Sequence, residues 1–280
     1  MSDPVTLTTR DQVRAWRTTC AGSVALVPTM GALHDGHVAL MTAARRDADT
    51  VVVSNFVNPL QFGPDEDLAR YPRTPEADRA RCVEAGVDAI FAPSVDEMYD
   101  ADRQVSVSSG RMGTVLEGAS RPGHFDGVLT VVTKLFILLR PDRAYFGLKD
   151  IQQFALVNRL VTDLDLGVRI VGVPIVRDAD GLALSSRNTY LDASERRAAL
   201  ALSRALAAVD DGGPATTLLA RARAVLDEAA GEPRFSVDYA ELVDFATFSP
   251  VDDGFRGRAV LALAARVGST RLIDNRVLDL

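Results

Sequence analysis

Two of the chain's three histidines, His34 and His37, stand three residues apart in the stretch Pro28-Thr29-Met30-Gly31-Ala32-Leu33-His34-Asp35-Gly36-His37. Two imidazoles at that spacing can donate to phosphate oxygens and meet charge as it develops in a transition state. Gly31 and Gly36 let the backbone turn tightly and approach a ligand closely. An apolar run at 24–27 precedes the stretch and a helix-like run at 38–46 follows it. The order is therefore strand, tight loop, helix. A helix N-terminus offers unpaired N–H groups and a partial positive charge, which suits phosphate. Two other uses of these residues stay open. Glycine and histidine could simply shape a turn, or the histidines and Asp35 could hold a metal. The glutamate of His-Glu-x-x-His is missing, and no metal ligands are assigned.

The other polar candidates are scattered. The only lysines are Lys134 and Lys149, and neither follows a glycine. There is no G-x-x-x-x-G-K-[ST] and no G-x-G-x-x-G, so phosphate must be held another way. Lys149, close after Gly147 and an apolar run, is placed to act as a point charge on phosphate or to be a solvated loop lysine. Ser185-Ser186-Arg187 offers two hydroxyls and a guanidinium to phosphate, or a serine turn before Tyr190. Gln61 and Gln153 carry amides that can orient a polar substrate. Glu117, Arg121 and His124 lie in a glycine-bearing stretch that reads as a loop over the site or as exposed surface. Glu66, Asp67 and Asp78 read as surface charges, with helix capping as an alternative role.

Composition narrows the classes. The chain has 280 residues and a net charge of −7, which gives no general attraction to nucleic acid or anionic membrane. Cys20 and Cys82 make neither a metal spacing nor a disulfide framework. The sequence begins without a signal peptide's pattern, and no apolar run approaches ~18 residues. The expected location is the cytoplasm.

Elements that could position these residues follow from periodicity. Residues 11–20 read as an amphipathic helix with Val13 and Trp16 inward. Strands are expected at 24–27, 50–54, 87–92, 143–146 and 169–176, the last carrying Pro174. Thr74 and Pro75 open a helix that Gly86 closes. Helices are also expected at 127–139 and from Asp150 to about Asp163. Alternating strands and helices imply right-handed crossovers and a Rossmann-like α/β fold, a parallel sheet with helices on both faces. Ligands bind beyond the carboxyl ends of such strands. Polar stretches follow the strands ending at Val27, Ser54, Phe146 and Val176, so all four loops should share one edge. After 176 the pattern changes to helices at 192–209 and 214–230 and strands at 236–243, 258–266 and 270–274. We expect a Rossmann-like ligand-binding domain at 1–176 and a small α+β domain at 177–280 closing over the site. Residues 177–188 form the seam, where clefts often form.

Taken together these segments resemble the pantoate–β-alanine ligases, members of the nucleotidyltransferase-like superfamily with His-x-Gly-His loops. The matching stretches include residues 27–37, Phe56-Val57-Asn58-Pro59-Leu60-Gln61-Phe62, residues 68–74, Leu116-Glu117-Gly118, residues 121–125, Phe146-Gly147 with Lys149-Asp150, Gln152-Gln153 and residues 181–188. They occur in the family's order. The resemblance implies a two-step reaction in which ATP and pantoate give pantoyl-adenylate and pyrophosphate, and β-alanine then captures the adenylate. It puts ATP on Met30, Gly31, Ala32, Leu33, His34, Asp35, Gly36 and His37. It adds Gly147, Leu148, Lys149 and Asp150, then Val176, then Leu184, Ser185, Ser186 and Arg187. His37 is the implied proton donor, with His34 and Lys149 catalytic beside it. Gln61 and Gln153 hold pantoate, and Mg²⁺ accompanies ATP. A cytoplasmic homodimer is implied. Asn55 and Leu148 depart from the usual pattern, apolar at the first and glutamate at the second. Two other readings are an adenylyl- or cytidylyltransferase acting on a phosphorylated acceptor, and a non-catalytic nucleotide sensor.

Overall fold

The computed structural model describes residues 3–64, 66–230 and 234–280. They form two compact units. The first runs through Leu148 and takes in Gln152–Pro174; the second comprises Lys149–Ile151 and Ile175–Leu280.

The first unit begins with β1 (Val5–Leu7), α1 (Arg10–Thr19), β2 (Val24–Thr29), α2 (Asp35–Asp47), β3 (Thr50–Asn55), α3 (Pro75–Glu84) and β4 (Ala89–Phe91). The short helices α4 (Val95–Met98) and α5 (Glu117–Ser120) follow, then α6 (His124–Leu139), β5 (Arg143–Gly147), α7 (Ile151–Asp163) and β6 (Arg169–Val173). The six strands form one sheet in the order β1-β4-β3-β2-β5-β6, and every pairing is parallel. From β2 the chain builds outward through β3 and β4, then returns to the other side of β2 for β5 and β6. The strand order therefore reverses between β2 and β5, the position where doubly wound sheets open a ligand crevice.

Helices cover both faces because the strands are apolar on both. Successive side chains of a strand point to opposite faces. In β2, Val24 and Leu26 join the core under α1, α6 and α7, whereas Ala25 and Val27 join the core under α2 and α3. Val52 of β3 goes to the first core, and Val51 and Val53 to the second. The Rossmann-like fold expected from sequence is present.

Several boundaries differ from expectation, each for a local reason. A sixth strand, β1, joins the sheet edge beside β4; three residues are too few to show periodicity. β6 stops at Val173 and not at 176, because Pro174 has no N–H for the ladder. β4 is confined to Ala89–Phe91. α2 starts at Asp35, three residues before the helix-like run, and α6 starts at His124. Thr74 precedes α3 as expected, but its hydroxyl makes no cap bond and donates instead to Asp78 Oδ1 at 3.0 Å. Asp78 is not a surface charge: it is 3% exposed.

The second unit holds α8 (Ala193–Ala207), α9 (Ala215–Ala229) and an antiparallel sheet of β7 (Phe235–Asp244), β8 (Arg258–Val267) and β9 (Thr270–Asp279), in the order β7-β8-β9. Leu202, Leu206, Leu218 and Leu226 of the helices pack on Leu261, Leu263 and Leu278 of the sheet. β9 runs five residues past the expected end at 274, since it pairs with β8 along its whole length. Gly268 takes φ +58° in the tight β8–β9 turn, where a side chain would be strained.

In the first unit, Cys82 is buried between α3 and α2, 3.9 Å from the Met41 sulfur. Burial, with the nearby Asp78 charge, pushes its thiol up to about 12. Only the thiolate is nucleophilic. Alkylation of the native protein near pH 8 should therefore spare Cys82 until the protein is unfolded in denaturant, as peptide mass analysis would show.

Candidate functional site

The chain leaves β2 at Thr29 and turns at Gly31 and Ala32, both in the left-handed region at φ +81° and +49°. His34 then caps α2. Its Nδ1 accepts from the Gly36 N–H at 3.1 Å, and its own N–H donates to His37 Nδ1 at 3.2 Å. This is a capping box built from two imidazoles, and it explains why α2 begins before the apolar run. Each Nδ1 accepts a backbone N–H, so each neutral ring carries its proton on Nε2. The rings sit 4.1 Å apart, centroid to centroid. The pair is thus two Nε2 donors over the positive end of a helix, at the carboxyl end of the strand where the sheet order reverses. Gly36 is required for contact, not for φ: a Cβ there would lie 2.8 Å from His34 Cε1. Asp35 points outward and pairs with Arg81 at 2.7 Å.

The loop after β3 meets this one. Gln61 ends a short 3-10 turn, Pro59–Gln61, and is buried. Its Nε2 donates to the Met30 sulfur at 3.1 Å, and its Oε1 accepts from Asn58 Nδ2 at 3.0 Å. Asn58 therefore decides which way the Gln61 amide faces. Asn58 is itself fixed: Nδ2 also donates to Gly127 O at 3.1 Å, and Oδ1 accepts from Tyr99 Oη at 2.9 Å. Burial pushes the Tyr99 phenol above its ordinary range, keeping that proton in place. The Gln61 carbonyl is gripped by His124 Nδ1 at 2.8 Å and Arg121 Nη2 at 3.3 Å. Arg121 is held by Glu66 through bonds of 2.8 and 2.6 Å. Of the two readings of 116–125, exposure fails for Glu117 and His124, both buried. Glu66, expected at the surface, is an ion-pair partner.

Asn55 donates to Asp78 Oδ2 at 3.0 Å, so its amide supports the loop after β2. Leu148 lies over β6, where a Cβ on Gly172 would come 2.6 Å from its Cδ2. Of the neighbouring glutamines in α7, Gln152 is buried and structural. It donates to Met112 O at 2.8 Å and Val115 O at 2.9 Å, and accepts from the Glu117 N–H at 3.1 Å. Gln153, the one expected to touch substrate, is half-buried in the first turn of α7.

In the second unit, residues 176–184 form a hairpin. The Leu184 N–H donates to Val176 O at 2.9 Å, Arg177 bridges Ala183, and Gly181 makes the turn at φ +95°. This brings Val176 and Leu184, eight residues apart, side by side. Ser185 Oγ accepts from the Arg187 N–H at 3.3 Å and caps the 3-10 turn Ser186–Tyr190. Arg196 of α8 grips the hairpin through Asp178 at 2.6 Å and Asp180 at 2.7 Å. Its far side is tied to β9, where buried Asp274 takes Arg177 in two bonds of 2.6 and 2.9 Å. The next residue, Asn275, donates to the Lys149 carbonyl at 2.8 Å. Adjacent positions of β9 thus anchor both Lys149 and the hairpin. Lys149 Nζ stands 3.8 Å from Asp150 Oδ1.

Sequence reasoning missed Asn58, Tyr99, Asp274 and Asn275 as residues that hold the site's side chains. Asn58 bonds to Gln61 three residues on; the partners of the other three lie 41 to 126 residues away, and no local pattern marks them.

A family model for pantoate–β-alanine ligase matches residues 5–277. The chain belongs to the pantoate–β-alanine ligase family. It is 58% identical to a pantothenate synthetase of Thermobifida fusca (strain YX), over 99% of this chain and 96% of that protein. A crystal structure of the Thermus thermophilus pantothenate synthetase superposes with a TM-score of 0.90 at 48% identity, covering 97% of this chain and 98% of that one. The Francisella tularensis ligase, complexed with beta-gamma ATP and β-alanine, gives 0.80 at 31% identity, covering 98% and 97%. The reaction of this family is the ATP-dependent condensation of pantoate with β-alanine. Membership decides for the ligase over nucleotidyl transfer to a phosphorylated acceptor.

The Arg177–Asp274 pair yields a prediction within the second unit. Asp274→Ala strands a half-buried guanidinium and frees the hairpin. It should destabilise that unit by on the order of 3–5 kcal/mol, read as a lowered denaturant midpoint for the transition of α8, α9 and their sheet.

Proposed function

We propose that the ligase reaction of this chain runs on the histidine pair and on Lys149, with the residue roles that the resemblance implies. ATP lies along Met30, Gly31, Ala32, Leu33, His34, Asp35, Gly36 and His37, with Gly147–Asp150, Val176 and Leu184–Arg187 completing its contacts. Gln61 and Gln153 hold pantoate. The pantoate carboxylate attacks the α-phosphorus, and pyrophosphate leaves. The β-alanine amine then attacks the acyl carbon of the adenylate, and AMP leaves. No protein nucleophile is needed, so catalysis is positioning plus stabilisation of phosphate charge. His34 and His37 donate from Nε2 to phosphate oxygens, and Lys149 adds a point charge.

The observation that carries this reading is the capping box, which occupies both Nδ1 atoms with backbone N–H groups and sets the two imidazoles at a helix N-terminus at the sheet's reversal point. The Francisella relative, complexed with beta-gamma ATP and β-alanine, supports the choice of substrates. Among the described residues no group of three His, Cys, Asp or Glu side chains could hold a metal ion. A Mg²⁺ accompanying ATP would offset charge on the phosphates that the histidine loop and Lys149 hold. Residues 1–176 serve as the ATP- and pantoate-binding domain, and residues 177–280 supply Leu184–Arg187. A homodimer working in the cytoplasm completes the proposal. Among the described residues no helix is long and apolar enough to cross a membrane.

Two substitutions test the roles. His37→Ala should slow pantoate-dependent pyrophosphate release by about 10²-fold or more; unchanged release removes His37 from the mechanism. Lys149→Ala should slow adenylate formation more than capture of the adenylate by β-alanine. Single-turnover assays of the two half-reactions would reveal equal losses if Lys149 were only structural.

A further inference from the structure

We propose that Asp78 is the positioning residue of the histidine loop, a role that nothing in its local sequence announces. The inference rests on the reading that this loop handles ATP. Asp78 sits in the first turns of α3, buried, and its two oxygens face four donors. Oδ1 accepts from the Leu33 N–H at 2.8 Å and from Thr74 Oγ1 at 3.0 Å. Oδ2 accepts from the Ala32 N–H at 3.1 Å and from Asn55 Nδ2 at 3.0 Å. Two of the four donors are consecutive backbone N–H groups of the loop itself.

Those two bonds hold a strained piece of chain. Ala32 is left-handed at φ +49° and has a Cβ, a conformation that persists only where its surroundings over-determine it. The carboxylate supplies that constraint from α3. A Cβ at Gly31 would lie 2.5 Å from Asn55 Oδ1 and 3.0 Å from Asp78 Oδ2, so the turn is pressed directly against the clamp. His34 follows the clamped Leu33 immediately, and where Leu33 is fixed decides where the cap and both imidazoles stand. Asp78 touches neither imidazole; it acts through the backbone.

The clamp and the network that holds Gln61 are built from different residues and meet at the Met30 sulfur, which accepts from Gln61 Nε2 at 3.1 Å. That network uses Asn58, Tyr99, Arg121 and His124, and shares no hydrogen bond with Asp78. Damage at Asp78 should therefore fall on ATP and spare pantoate. A purely structural residue would weaken both together.

The test uses Asp78→Asn in the full chain, which keeps the shape but turns an NH₂ toward donor groups. The KM for ATP in pantoate-dependent pyrophosphate release should rise by about 10-fold or more and kcat should fall, with the KM for pantoate within about twofold. A parallel rise in both KM values, or no change in either, overturns the inference. If Asp78→Asn does not fold, Thr74→Val and Asn55→Ala each remove one donor while leaving the carboxylate. Each should raise the KM for ATP alone, by roughly 3-fold, and normal values in both overturn the inference. His37→Ala, measured alongside, separates the two levels. If it leaves pyrophosphate release intact, the reading of the loop falls and this inference with it. If it cripples release while Asp78→Asn binds ATP normally, the inference alone falls.

Discussion

Parallel pairing of β2 with β3 on one side and β5 on the other is the constraint from which the site follows. Parallel strands end on the same edge of a sheet. The chain must therefore turn three times at that edge: after Thr29, after Asn55 and after Gly147. Polar, glycine-bearing segments are tolerable at those points because they lie beyond the ladder. The apolar residues behind them are packed on both faces, so the edge is held rigidly. A ligand site on such an edge inherits the stiffness of two cores without needing a core of its own.

Several of the residues proposed to act are held by partners from other segments. Asn58 and Tyr99 face the Gln61 amide; His124, Arg121 and Glu66 fix its carbonyl. Asp274 and Asn275 anchor the Arg177 hairpin and the Lys149 backbone. The imidazoles hold each other, each Nδ1 accepting an N–H of the cap. Reactions without an enzyme nucleophile depend on placement, since an error of about 1 Å can remove two orders of magnitude in rate. The density of supporting bonds is in keeping with that demand.

The histidine loop is capped in an uncommon way. Ser, Thr, Asp or Asn commonly caps a helix, and here imidazoles do so. The cap fixes the tautomer as well as the helix start, and the same atoms that end the strand–helix turn leave Nε2 as the donor. The turn reading and the phosphate reading of these residues are therefore not alternatives. Gly36 belongs to the same arrangement, since only a residue without Cβ lets the His34 ring lie over its own helix.

The sequence alone determined the fold class, the positions of most strands and helices and the family, and it singled out the stretches around His34, Lys149 and Ser185 as candidates for the chemistry. These are carried by local signals: apolar runs of strand length, proline and glycine at helix ends, and short motifs in order. It erred where a neighbour in space overrules a local pattern. β1 forms because β4 offers an edge; α2 begins early because His37 lies one turn from His34. Asp78 reads as a surface charge because helical spacing cannot show that a loop 45 residues earlier would aim two N–H groups at it. Asp274, Asn275 and Tyr99 were silent for the same reason. A hydrogen bond between distant segments leaves no periodicity in either, so which residues support the site was decided only when the sheets brought those segments together.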